Sequence, residues 1–169
     1  MGQSELNSIE LPSEGSCVDA GKQLVVAILK HLPADRAFIV HLSGALGSGK
    51  TTLARGILRG AGVEGQIRSP TFTLVETYDT PANVEFVHID LYRIGDRAEA
   101  EGLGLREYDR PGVIWLVEWP ERAVIAPEVD IQISLTYRSS GRLARLSGQT
   151  APGLEALNAA WPSAKSIEL

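Results

Sequence analysis

Apolar positions first recur at helical spacing at Val18, Gly21, Val25, Ile28, Leu29 and Leu32, which predicts an amphipathic helix over 17–32. Ser16-Cys17-Val18-Asp19 reads as its capping box and Pro33-Ala34-Asp35 as its stop. Residues 1–15 are polar and without period, a loose end with a short strand at 9–11. The mostly apolar run 38–42 predicts a short strand, and 50–60 a helix that ends near Gly60-Ala61-Gly62. The run 69–78 opens as a turn and continues β-rich, and with a second strand over 84–89 it flanks the turn residues Asp79-Thr80-Pro81-Ala82-Asn83, an antiparallel hairpin. Residues 95–108 are charged and broken by glycine, with a short helix at 98–103.

Val113-Ile114-Trp115-Leu116-Val117 is apolar throughout, as a strand covered on both faces must be, and it ends in Glu118. Pro120 stops it, and 121–125 make one helical turn. Runs at 129–137 and 142–146 flank Ser139-Ser140-Gly141, a second hairpin. The last stretch carries a weak helical patch at 154–160. With no repeat and no linker, the pattern predicts one α/β domain over 1–148, its ordered core about 13–148, and a tail over 149–169 with a short helix.

The chemistry sits between the first apolar strand and its helix. Gly44-Ala45-Leu46-Gly47-Ser48-Gly49-Lys50-Thr51 spells G-x-x-x-x-G-K-[ST] in the strand-to-helix context that gives this motif its meaning. Glycines let backbone N–H groups turn toward a phosphate, and the helix start adds unpaired donors. Gly44, Leu46, Gly47, Ser48, Gly49, Lys50, Thr51 and Thr52 are therefore the candidate nucleotide-binding residues. Lys50 is placed to reach the β- and γ-phosphates and the Thr51 hydroxyl to meet Mg²⁺.

Two carboxylates, Asp90 and Glu118, end strands, where open α/β sheets bind ligands. Glu118 is the favoured metal residue because its strand reads as central; Asp90 is the co-ligand or water-positioning residue. Thr71 and Thr73 lie after the motif helix either on a proline-containing loop, where a γ-phosphate-sensing segment belongs, or on a threonine-rich edge strand. His41 and His88 fall inside strands and read as packed or solvent-facing. Arg55 and Arg59 share a helix face, either solvated or a docking patch.

Composition narrows the setting. A chain of 169 residues with net charge −5 and pI about 5.2 is a poor stand-alone binder of nucleic acid, since Lys and Arg neutralising phosphate supply most of that affinity. DNA is not an expected partner. Cys17 is the only cysteine, so no internal disulfide forms, as suits a reducing compartment. No apolar run approaches the ~18 residues of a membrane span. Glu5 and Glu10 replace a signal peptide's basic start, and Leu6 stands where myristoylation needs Ser or Thr. The expected location is cytoplasmic.

Several segments together resemble the TsaE-type P-loop ATPases of bacterial tRNA threonylcarbamoyladenosine biosynthesis. They are Gly44 to Thr52, Ser69-Pro70-Thr71-Phe72-Thr73-Leu74-Val75, His88-Ile89-Asp90-Leu91-Tyr92-Arg93, Gly104-Leu105-Arg106-Glu107-Tyr108 and Val117-Glu118-Trp119-Pro120, in matching order and spacing from about 13 to 146. The resemblance implies a single-domain P-loop NTPase fold, a mostly parallel sheet with helices on both faces and antiparallel hairpin additions. It implies a weak Mg²⁺-dependent ATPase that acts as an accessory subunit of the TsaB–TsaD pair, with ATP and ADP as cofactors and tRNA met only indirectly. By that resemblance Lys50, Asp90 and Glu118 are catalytic, and Thr51, Glu118 and Asp90 hold the metal. Ser69–Thr73 is switch-like, and the family's adenine-side threonine falls on Cys17 or Ser16. Ser48 replaces the family's usual alanine.

The competing reading is a small-molecule kinase. Arg93, Arg97, Arg106 and Arg110 are available for a lid, but no lid pattern joins them. A GTPase fares worse: Asp109-Arg110-Pro111-Gly112 precedes its strand instead of following one, and no N-K-x-D guanine reader is present.

Overall fold

A computed structural model of the chain describes residues 6–126, 128–162 and 165–166. Its strands are β1 (Leu6–Leu11), β2 (Phe38–Gly44), β3 (Val75–Asp79), β4 (Glu85–Asp90), β5 (Val113–Glu118), β6 (Ile131–Tyr137), β7 (Arg142–Gly148) and β8 (Lys165–Ser166). Its helices are α1 (Glu14–Ile28), α2 (Lys50–Gly60), α3 (Arg97–Glu101) and α4 (Ala151–Ala160). One sheet takes all the strands in the order β3-β4-β5-β2-β6-β7-β1-β8. The four central strands β4, β5, β2 and β6 run parallel; the flanking pairs are antiparallel. The sheet is thus mixed, parallel only in its middle, and both sequence-predicted hairpins, β3–β4 and β6–β7, are in place.

The apolar pattern explains this order. All six residues of β5 are buried, because β2 and β4 flank it and helices or loops cover both faces. One face packs Phe38, Val40, Leu42, Ile114 and Leu116 beneath α1, α2 and α4. The other packs Ile39, Val87, Ile89, Trp115 and Val117 beneath the short α3 and the segments around 103–108 and 123–129. The second cover is thin: five residues of α-helix and a 3₁₀ turn at Leu105–Tyr108.

α1 begins earlier than the periodicity predicts. Ser13, with extended backbone, is the N-cap, and its hydroxyl accepts the Ser16 N–H at 3.0 Å while the Ser16 hydroxyl accepts the Ser13 N–H at 3.0 Å. The reciprocal box is therefore Ser13–Ser16, not Ser16–Asp19. α1 also ends at Ile28, short of Leu32; Leu29 and Leu32 still pack on the core from the turn that follows. β1 spans Leu6–Leu11, longer than the strand expected at 9–11, and pairs with β7 along its whole length.

α1 and α2 touch through glycines. A Cβ on Gly56 would lie 2.4 Å from the Val18 carbonyl oxygen, and one on Gly21 2.6 Å from that of Leu53. α4 packs on α1 and β7, burying Ala156, Leu157 and Ala160. A single carboxylate ties three distant segments. Asp130, 0% exposed, accepts two bonds from the Arg36 guanidinium at 2.8 Å, one from the Ile39 N–H at 2.8 Å, and one from the Thr150 hydroxyl. This bond to Asp130 raises the guanidinium's pKa above its ordinary value. Among the described residues no helix is long and apolar enough to cross a membrane.

Candidate functional site

The site forms where β2, β4 and β5 end and α2 begins. Gly44 closes β2 with φ 136°, and a Cβ there would lie 2.4 Å from the Leu135 carbonyl oxygen. Gly49, φ 107°, is the N-cap of α2 and contributes no side-chain cap, while the first turn holds no acidic residue. The result is a backbone cradle whose helix-start N–H groups are not taken by a side chain, an arrangement that receives anions. It opens on a cavity of about 200 Å³ walled by Tyr92 and Trp119.

Lys50 is 4% exposed. Its Nζ donates to the Gly44 and Ala45 carbonyls at 2.8 and 2.9 Å and lies 3.9 Å from the centre of the Trp119 ring. Burial lowers its pKa, and Glu118, Glu121 and Asp90 pull the other way. Trp119 has left-handed backbone, φ 58°, held by its N–H on the Leu42 carbonyl at 3.2 Å; its ring lies 5.0 Å from that of Tyr92. A bulky residue in that region marks local strain.

The two strand-end acids stand side by side in register, Asp90 opposite Glu118. The Thr51 hydroxyl donates to Glu118 Oε2 at 2.9 Å, and His88 Nε2 lies 2.8 Å from Glu118 Oε1. The Thr71 hydroxyl donates to Asp90 Oδ2 at 2.9 Å, and the Tyr92 N–H to Oδ1 at 2.9 Å. The Ser69 hydroxyl is 2.8 Å from that of Thr71. Glu118 and Asp90 are 2% and 3% exposed, so each carboxylate is held by hydrogen bonds in place of bulk water.

The structure thus gathers Gly47, Gly49, Lys50, Thr51, Thr52, Thr71, Asp90 and Glu118 at one cleft. The Gly44 carbonyl accepts from the Lys50 Nζ, and Leu46 stands exposed on the lip of the cleft. Other residues singled out in the sequence lie elsewhere. Ser48 is 0% exposed, facing the loop's interior. Thr73 is exposed and takes no part in the Ser69–Thr71–Asp90 bonds. Cys17 is fully buried beneath the loop, its thiol 3.7 Å from the Gly49 carbonyl, and burial raises its pKa; it does not reach the cleft. The Arg59 guanidinium donates to the Val63 and Gly65 carbonyls and fastens the turn after α2. Asp109, of the D-x-x-G look-alike, accepts the Ala37 N–H at 3.1 Å and serves the fold.

Sequence reasoning missed His88, Trp119 and Tyr92. For His88 the sequence shows only that it lies two residues before Asp90 on one strand, hence on the same face; it does not show its partner Glu118. The side-chain oxygens of Thr51, Glu118 and Asp90 are hard donors of the kind Mg²⁺ prefers. Among the described residues no three His, Cys, Asp or Glu side chains gather as a metal cage.

The family model of the threonylcarbamoyl adenosine biosynthesis protein TsaE matches residues 11–145. The chain is 41% identical to the tRNA threonylcarbamoyladenosine biosynthesis protein TsaE of Haemophilus influenzae over 150 residues, 88% of this chain and 94% of the relative. It is 35% identical to the protein of the same name from Borreliella burgdorferi over 144 residues, 83% and 98% of the two chains. The crystal structure of Bacillus subtilis YdiB is similar with a TM-score of 0.72 at 22% identity, covering 96% of this chain and 98% of that one, a likeness of fold.

Proposed function

The chain belongs to the TsaE family of threonylcarbamoyl adenosine biosynthesis proteins, and from that premise we propose that it is a Mg²⁺-dependent, slow ATPase. In this reading it is a cytoplasmic accessory subunit that acts with TsaB- and TsaD-type proteins in tRNA threonylcarbamoyladenosine formation. The observation that carries the reading is the Thr51–Glu118 contact of 2.9 Å at the mouth of the glycine cradle, with Lys50 and Asp90 beside it. A hydroxyl from the phosphate-loop helix meets a carboxylate from the neighbouring strand where P-loop proteins share a metal.

Each residue then has a task. The loop amides and the start of α2 bind phosphate oxygens. Lys50 gives up its carbonyl partners for the β- and γ-phosphates. Thr51 and Glu118 hold Mg²⁺, which when bound neutralises charge gathering on the phosphates. Asp90 completes the metal side or orients the attacking water, and its bond to Thr71 ties that choice to the Ser69–Thr71 segment. Trp119 and Tyr92 wall the cleft against bulk water. Net charge −5 favours a role in which tRNA is met through the partners.

Phosphate release from Mg-ATP by the purified protein, alone and with the TsaB–TsaD pair, tests this, with Lys50→Ala as the blank. The expected result is slow turnover that changes on adding the pair and disappears in the blank. Turnover indifferent to the pair, accompanied by phosphorylation of a small hydroxyl compound, would replace the reading with a kinase.

A further inference from the structure

His88 stands in the middle of β4 with 0% exposure, in a position where Phe86 before it is wholly apolar. Its Nε2 is 2.8 Å from Glu118 Oε1. A carboxylate only accepts hydrogen bonds, so Nε2 carries a proton, and in the neutral imidazole Nδ1 is left as the acceptor. That Nδ1 is buried with no hydrogen-bond partner. A leucine would fill the place without leaving such an atom, so packing does not explain the imidazole. What the imidazole supplies is one donor aimed at one oxygen.

The geometry of Glu118 shows what that donor does. Its two oxygens have separate partners: Oε1 meets His88 and Oε2 meets Thr51. β4 and β5 are locked in register, with His88 opposite Leu116 and Asp90 opposite Glu118, so ring and carboxylate sit on adjacent strands of one rigid sheet. With Oε1 pinned, the carboxylate plane cannot rotate about its side chain, and Oε2 stays turned toward the hydroxyl of the phosphate-loop helix.

We propose that His88 is a positioning residue for Glu118: its Nε2–H pins Oε1 so that Oε2 is presented, with Thr51, to the metal. The inference rests on the reading of Glu118 as a metal ligand. Partners of this kind set the orientation of a ligating carboxylate, and losing one typically weakens metal binding by about 10–100-fold.

Three substitutions separate positioning from packing. His88→Leu removes the donor; His88→Asn keeps a buried amide but falls short of the Nε2 position; His88→Gln returns an N–H donor to that position. Mn²⁺ affinity is read by electron paramagnetic resonance with ADP present, nucleotide affinity by calorimetry in EDTA, and melting temperature alongside. His88→Leu and His88→Asn should bind Mn²⁺ about tenfold or more weakly, with metal-free nucleotide affinity unchanged, and His88→Gln should recover most of the loss. His88→Asn binding Mn²⁺ as the wild type does, or His88→Gln faring as badly as His88→Asn, overturns the proposal. A measurement on the unaltered, metal-free protein is independent of any variant's folding: ¹⁵N NMR should show the Nε2–H tautomer of His88, and the Nδ1–H tautomer overturns the proposal. Glu118→Gln is the control. If it keeps Mn²⁺ affinity and turnover, the metal reading of Glu118 falls and the role of His88 with it. If it loses both while His88→Leu and His88→Asn lose neither, only the role of His88 falls.

Discussion

His41 stands on β2 three residues before Gly44, with an Nε2 that is buried and has no partner. Burial alone lowers its pKa from 6.5 to about 4. The folded value lies below the unfolded one, so the unfolded chain takes up a proton first as pH falls. The stability involved is complete above pH 6.5 and is lost progressively down to about pH 4. Between pH 7 and pH 5 the loss is about 2 kcal/mol. Urea unfolding should show that loss in the wild type and a smaller slope in His41→Gln; equal slopes would assign the acid sensitivity elsewhere. The same scale shows what a sequence can reveal. Lys50 and Thr51 were legible because their meaning is local, a spacing of glycines before one helix. Asp90 and Glu118 were legible as acids at strand ends. The role of His88 was not, because its partner lies 30 residues away and only the β4–β5 register brings the two together. Trp119 was hidden for another reason: its left-handed backbone and its ring over Lys50 have no trace in residue type.

Between elements, α1 and α2 meet in a tight glycine contact. It matters for the site because α2 starts at the phosphate loop, so the depth at which α1 seats fixes where Lys50 and Thr51 stand. Gly56→Ala puts a methyl 2.4 Å from the Val18 carbonyl, against backbone that cannot swing aside. The expected cost is about 1–3 kcal/mol, with a weaker nucleotide affinity as α2 shifts. A variant as stable as the wild type would mean that the helices separate without consequence. Helix existence was legible here and helix boundary was not. Two serines three residues apart, Ser13 and Ser16, compete for the cap, and the tertiary fit of α1 decides for the earlier one. The strands were easier, since β5 is apolar at every position up to Glu118 and β2 runs straight into the glycines.

At the scale of the whole molecule Asp130 ties β2 and the segment before it to the start of α4. Asp130→Ala leaves the Arg36 guanidinium, itself mostly buried, without its bidentate partner and frees the Ile39 N–H and the Thr150 hydroxyl. Removing one member of such a pair costs about 3–5 kcal/mol, and chemical denaturation should read a loss of that size. A loss under about 1 kcal/mol would class the pair with surface ion pairs. None of this was legible in the sequence: Asp130 looked like the start of a strand, and 149–169 like a tail. Long-range ties of this kind have no period and no motif. They do have an order in time. A chain growing from its amino end carries Arg36 for 94 residues before Asp130 exists, and makes 20 more before Thr150 arrives. At about 5–20 residues per second that delay is on the order of ten seconds. Throughout that delay the Arg36 guanidinium and the Ile39 N–H lack the carboxylate that they share in the folded chain.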